Sequence, residues 1–296
     1  MSAEIWILFV LTLVALNGAF VGTFLVLRGM SMLTDAMSHA VLFGIAVAAI
    51  LSGSLASSLM LLGGTLACLL TAYLAQYLQD HGRVQRDASI GIVFTWLFAL
   101  GVILISAFAK KVHIDQECVL LGEIVLTPFD TISLFGNELG PKAFWTLIIV
   151  LFFNCTLVFL GFKRLVATSF DSVHSDLLLL QPKLWNFLLL LAVSFTSVAS
   201  FEAVGVILIV SLIVTPSATA YLISRSVLQM LVYSTLFGIS SVILGYYLAA
   251  QVDASISASC ALVSAVIFVM IFFTQLIAQS RKNATTSELL TPQSNK

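Results

Sequence analysis

The chain has 296 residues, of which 60% are hydrophobic and only 9% charged, with a formal net charge of −1. No water-soluble domain has that composition, so the chain is a polytopic membrane protein. It carries no basic patch of the kind that binds nucleic acid, and nucleic acid is excluded as a partner.

A helix needs about 20 apolar residues to cross the hydrocarbon core. With that length, spans fall near 5–27, 32–52, 55–79, 88–109, 143–163, 183–200, 203–223, 229–250 and 254–278. The fold expected is all-α, a single permease-sized domain over 1–280 with about 8–9 transmembrane helices. The turns at 28–31 and 200–203 are short enough for either to be a break within the membrane. The first stretch lacks a basic n-region and a cleavage site, so it reads as a retained helix. Gly18 and Gly22 give it a small-xxx-small face suited to close packing.

The second span opens with Asp35, Ser38 and His39 at i, i+3 and i+4, which puts them on one helical face. An Asp near the bilayer centre costs about 2.5–3.5 kcal/mol, so it normally faces a cavity, a partner or an ion. Carboxylate and imidazole together ligate divalent cations. Counted at 1.5 Å per residue, His39 lies about 16 Å from Arg28, near mid-depth, with Asp35 one turn closer to the cytosol. The alternative role for the pair is a plain helix–helix hydrogen bond.

Four cysteines, Cys68, Cys118, Cys155 and Cys260, form no CxxC pair and read as small apolar residues. The connection over 110–142 carries Asp115, Glu117, Glu123, Asp130 and Glu138 against Lys110, Lys111 and Lys142. Its apolar fragment Cys118–Leu126 is expected to pack back on the bundle. The connection over 164–182 reads as a short helix with Ser169 or Asp171 as N-cap and Asp176 as an early acid. His113 and His174 read as solvated loop residues.

Glu202 falls at the bend between the sixth and seventh spans, where it either collects cations at the mouth or is a solvated acid at a helix end. Pro216 interrupts the seventh span, and Asp253 reads as the N-cap of the last. The segment 281–296 is polar and expected to be a disordered tail. The basic residues set the orientation. With the N-terminus outside, ten lie inside (Arg28, Arg83, Arg86, Lys163, Arg164, Lys183, Arg225, Arg281, Lys282, Lys296), leaving Lys110, Lys111 and Lys142 outside. The N-terminus is therefore outside and the C-terminus cytosolic.

There is no GxxxxGK[ST] loop, no nucleophile elbow and no HExxH. The chain has no nucleotide site of its own and is not read as an enzyme. A transporter, a channel or a subunit of one remains.

Arg28 followed by Met30-Ser31-Met32 and Asp35-Ala36-Met37-Ser38-His39-Ala40 resembles the opening signature of the permeases of bacterial ATP-binding-cassette importers for zinc, manganese and iron. Val204-Gly205, Leu208, Leu212, Pro216 and Thr219-Ala220 match that family's second signature, and Phe170-Asp171 and Leu121-Gly122-Glu123 fall at further family positions. The resemblance runs over about residues 8–278, with departures at Phe43 and at Asp253–Ala258. It implies an arrangement like the vitamin-B12-type importer permeases, in a bacterial cytoplasmic membrane. It implies Mn, Fe or Zn as cargo and no permanently bound cofactor. Metal contact would fall to Asp35 and His39, with lesser parts for Ser38 and Glu202.

The implied partners are a cassette ATPase on the cytosolic side and an extracytoplasmic metal-binding protein. A second permease, identical or similar, would complete the channel. Phe170, Asp171 and Asp176 lie where the family couples to its ATPase. Carboxylate plus imidazole without thiolate favours Mn, Fe(II) or Zn over Cu(I). A secondary cation carrier or channel, with Asp35 and His39 as an ion or proton relay, is the other function compatible with the residues.

Overall fold

The computed structural model describes residues 3–52, 57–108, 124–134, 137–170, 175–176 and 179–290. Among these residues, nine helices are long and apolar enough to cross a membrane. They are α1 (Ala3–Leu27), α2 (Ser31–Ser52), α3 (Ser57–Gly82), α4 (Arg86–Phe108), α5 (Lys142–Phe170), α6 (Pro182–Val204), α7 (Val206–Ile223), α8 (Val227–Val252) and α9 (Ile256–Leu290). The 3₁₀ turn Thr127–Phe129 leads into an antiparallel hairpin, β1 (Thr131–Leu134) and β2 (Asn137–Pro141), that the sequence did not announce. Two-stranded pieces of this length are stable only when packed on something. Here Gly140 lies against the Trp6 ring of α1, and the Thr127 hydroxyl reaches the Ala203 carbonyl of α6.

Two sets of helices build the bundle. α1 packs on α5, α6, α7 and α8, while α2 is held by α3 and α4 and touches α6 and α7. Helices in lipid gain little from hydrophobic exclusion, so close backbone approach has to hold them. Gly18 and Gly22 do this as expected: a methyl on Gly18 would meet the Leu212 carbonyl of α7, and one on Gly22 would overlap the Ile213 carbonyl and the Ser217 hydroxyl. Pro216 supplies no N–H to the Leu212 carbonyl four residues back, and that freed carbonyl is the one facing Gly18. A second such crossing joins Gly44 of α2 to Gly63 of α3, and Gly101 of α4 abuts the backbone at Phe43.

Asn17, Asn154 and Thr196 meet in the interior. The Asn154 amide donates to Asn17 Oδ1 and to Thr196 Oγ1, both at 2.8 Å, and Asn17 donates to the Leu147 carbonyl at 3.2 Å. This ties α1, α5 and α6 together in the buried interior.

Several boundaries differ from the sequence expectation. α5 runs to Phe170, so Ser169 is not an N-cap; it sits in the last turn, its hydroxyl donating to the Leu165 carbonyl at 2.6 Å. Lys163 and Arg164 are therefore inside a helix, with Arg164 lying 5.5 Å over the Trp185 ring. The bend after the sixth span falls at Gly205 (φ 78°) rather than at 200–203, because glycine alone tolerates that backbone freely. Asp253 caps no helix N-terminus. It closes α8 in the left-handed region (φ 54°), its N–H bonded to the Ala249 carbonyl.

α8 starts instead at Ser226, whose Oγ accepts from the Gln229 N–H. α9 continues to Leu290, into the segment expected to be a disordered tail. Of the apolar fragment 118–126, Ile124 is buried and Val125 and Leu126 are exposed. Residues 118–123, with Cys118 and Glu123, lie outside the described residues, as do Asp171, His113 and His174.

Candidate functional site: the Asp35–His39 face

α1 ends in a Schellman motif. The Met30 N–H reaches the Leu25 carbonyl and the Gly29 N–H the Val26 carbonyl, with Gly29 at φ 63°. That turn starts α2 immediately, and it brings the Arg28 side chain against the ends of two other helices. Its Nε donates to Ser169 Oγ at 3.0 Å, one terminal nitrogen to Asn186 Oδ1 at 2.7 Å and the other to Thr168 Oγ1 at 3.0 Å. Burial, with the Arg86 guanidinium nearby, lowers the Arg28 pKa to about 10, so it remains a cation at neutral pH. Arg28, Arg86, Lys163, Arg164 and Lys183 thus gather at one end of the bundle, the end that charge asymmetry assigns to the cytosol.

Depth follows from the contacts. The Cys68 thiol donates to the Met37 carbonyl at 3.4 Å, and Ser194 Oγ lies 4.0 Å from Met37 Sδ. Ser194 is about 12 Å along α6 from Asn186, which marks the cytosolic end, and about 15 Å from Val204 at the other. Met37 is therefore at mid-depth, with Asp35 just below that level and His39 just above.

The structure brings Asp35 and His39 together, with Oδ1 and Nε2 3.5 Å apart. That separation is too long for a strong hydrogen bond, so neither group is locked by the other. They are 45% and 29% exposed respectively, although both stand at membrane depth. The His39 ring stacks on Phe94 (5.8 Å between centroids) and takes Phe98 edge-on (5.6 Å), both from α4. These two rings orient the imidazole. Nothing in the sequence picked them out from the chain's 22 phenylalanines.

Ser38 takes a different position. It is buried, and its hydroxyl donates to the Thr34 carbonyl at 2.9 Å. Glu202 is exposed in the last turn of α6, about 12 Å beyond the Ser194 level and so near the outer end. Phe170 is exposed at the cytosolic end of α5, and Asp176 is exposed in a short helical turn beyond it. Cys68 is wholly buried and packs as a small residue.

Among the described residues, no group of three or more His, Cys, Asp or Glu side chains comes together. One chain therefore offers two candidate ligand side chains, Asp35 and His39, on a face left partly open. Structural zinc sites, by contrast, are closed cages of four ligands.

A recess of about 120 Å³ lies toward the cytosolic end, lined in part by Leu33, Gln76, Asp80, Arg86 and Asn186.

Residues 4–275 match the family described as ABC-3, the ABC 3 transport family. Over 272 residues the chain is 42% identical to the manganese transport system membrane protein MntD of Bacillus subtilis strain 168, covering 92% of each chain. It is 39% identical to the zinc transport system membrane protein TroD of Treponema pallidum strain Nichols, covering 92% of this chain and 73% of that one. Among solved structures, PsaBC from Streptococcus pneumoniae in complex with Fab superposes with a TM-score of 0.76 at 29% identity, covering 92% of this chain and 91% of that one.

Proposed function

The chain belongs to the ABC 3 transport family, and from that premise we propose that it is the membrane-spanning permease of an ATP-driven importer for a divalent transition metal. The observation that carries the reading is the Asp35–His39 pair, loosely joined and partly open at mid-depth. A carboxylate and an imidazole suit Mn, Fe(II) or Zn, and the relatives named for manganese and for zinc point to the same group of ions.

Two ligands do not complete a coordination shell. In this reading a second permease copy, identical or similar, faces the first and brings its own pair, and water supplies the remainder. The ion reaches the site from an extracytoplasmic metal-binding protein, past the outer acid Glu202. It leaves toward the recess beside Asp80 and Gln76. Ser38 keeps its helix backbone bond and serves the site through its oxygen lone pairs only.

ATP is hydrolysed by a separate cassette subunit, docked on the cytosolic connection that follows Phe170, with Asp171 and Asp176 as its polar contacts. Phe170 is exposed at the end of α5, on the side where this docking falls.

The test is uptake of radioactive Mn²⁺ and Zn²⁺ into proteoliposomes holding the permease, its ATPase and the delivering protein. ATP-dependent accumulation of either ion is expected. Accumulation that persists without the ATPase would instead establish the carrier reading.

A further inference from the structure

We infer that Arg28 is the positioning residue that links the ATPase-facing connection to the helix carrying the metal ligands. This rests on the importer reading above. The observation is how one side chain is shared. Thr168 and Ser169 are the last turn of α5, and Asn186 is in the first turns of α6, so the Arg28 guanidinium holds both ends of the cytosolic connection over 171–181 at once. The Arg28 backbone is held from a third direction, because Arg86 at the start of α4 donates to its carbonyl at 2.7 Å. α4 is the helix whose Phe94 and Phe98 orient His39. Arg28 itself caps α1 and stands three residues before the first residue of α2. A displacement of either end of the connection therefore acts, through the two-residue turn at Gly29–Met30, on the start of α2, about one and two turns below Asp35 and His39.

Chemistry supports a link that is remade during a cycle. Among the described residues no carboxylate pairs with Arg28; its three acceptors are two hydroxyls and an amide oxygen. A guanidinium holds neutral acceptors more weakly than a carboxylate, with which it forms a bidentate pair. A side chain whose only task was to staple helices permanently would gain more from an acid. The planar fork matters as well as the charge, since it reaches two helices in one geometry, which an ammonium on a flexible stem does not.

The experiment measures ATP hydrolysis by the reconstituted permease–ATPase complex, with and without the metal-loaded delivering protein, for wild type, Arg28→Lys, Asn186→Leu and the double variant. Arg28→Lys keeps the charge, so assembly and basal hydrolysis are expected to stay within about twofold of wild type. Stimulation by the loaded delivering protein is expected to fall at least about fivefold, the lower end of ordinary coupling between sites. Asn186→Leu should show the same pattern, and the double variant should be no worse than Arg28→Lys, because both remove one link. Wild-type stimulation from Arg28→Lys overturns the inference. So do basal and stimulated rates that fall in the same proportion, which mark a merely structural arginine. A wild-type complex that the loaded delivering protein fails to stimulate overturns the importer reading itself, and this inference with it.

Discussion

Asn17, Asn154 and Thr196 meet in the bundle interior with almost no exposed surface, whereas Asp35 and His39 keep 45% and 29% of their side chains accessible at similar depth. The first cluster has short bonds of 2.8 Å between three helices; the second has a single 3.5 Å approach within one helix. Both are polar groups in a medium that penalises them. The neutral amides reduce the penalty by bonding to each other and to backbone, leaving only Asn154 Oδ1 without a partner. The ionisable pair does nothing of the kind. An ionisable pair left partly open at membrane depth retains bonding capacity that an amide stapled between helices does not.

The sharpest way to break that contrast is to delete the two proposed ligands. Asp35→Ala or His39→Ala is expected to lower radiometal uptake by at least about a hundredfold, since losing even an outer-shell partner of a metal ligand costs about 10–100-fold. The protein should still accumulate in the membrane and bind its ATPase. Wild-type uptake from both variants would place this pair in the same class as the amides.

Gly22→Val tests packing alone. The added side chain overlaps the Ile213 carbonyl, and forcing α1 from α7 costs about 1–3 kcal/mol or more. The expected result is a large loss of monodisperse protein by size-exclusion chromatography; an undiminished peak would contradict the close crossing.

Asn154→Leu sharpens the contrast from the other side. It should cost about 1 kcal/mol, typical of a hydrogen bond between membrane helices, and be read as a lowered thermal unfolding midpoint. Uptake per folded molecule should be unchanged. A change in ion preference instead would show the amide cluster to be part of the path.

The smallest effect is expected at Phe98. Replacing it with Leu keeps the contact apolar and loosens the hold on the His39 ring, so uptake should fall about threefold, less than loss of a hydrogen-bonded outer partner. No change in rate would mean that Phe94 alone orients the imidazole.

Much of this was legible in the sequence because span length and i, i+4 spacing are local properties. Asp35 and His39 had to share a face wherever α2 was placed, and Gly18 with Gly22 had to make one smooth side of α1. What stayed hidden depends on neighbours far along the chain. Asn17 and Asn154 are 137 residues apart, and Arg28 finds its acceptors 140 to 158 residues away, with nothing in any single span to announce the match. The Ser226–Gln229 start of α8 was readable as a capping signal, whereas Asp253 misled because a capping residue type occurs at both ends of helices. The boundary at Gly205 was displaced for a similar reason: the acid at Glu202 suggested solvent, but this break takes φ 78° and ψ 170°, a combination that essentially only glycine adopts.

The helices of this bundle are unequal in length, and the lipid must accommodate the difference. α7 has 18 residues and α5 has 29, about 27 Å and 43 Å along their axes. The longer helix can lean or protrude, but the shorter one falls about 3 Å short of a 30 Å hydrocarbon core and is stopped at Gly205 and Ser224. Membrane thickness thus acts on α7 first, and through its glycine-lined contact with α1 on the rest of the bundle. Bilayers of longer-chain lipids should leave the ends of that one helix short of the interface, so the acyl-chain length beyond which transport declines is expected to follow the length of α7 rather than the average of the nine.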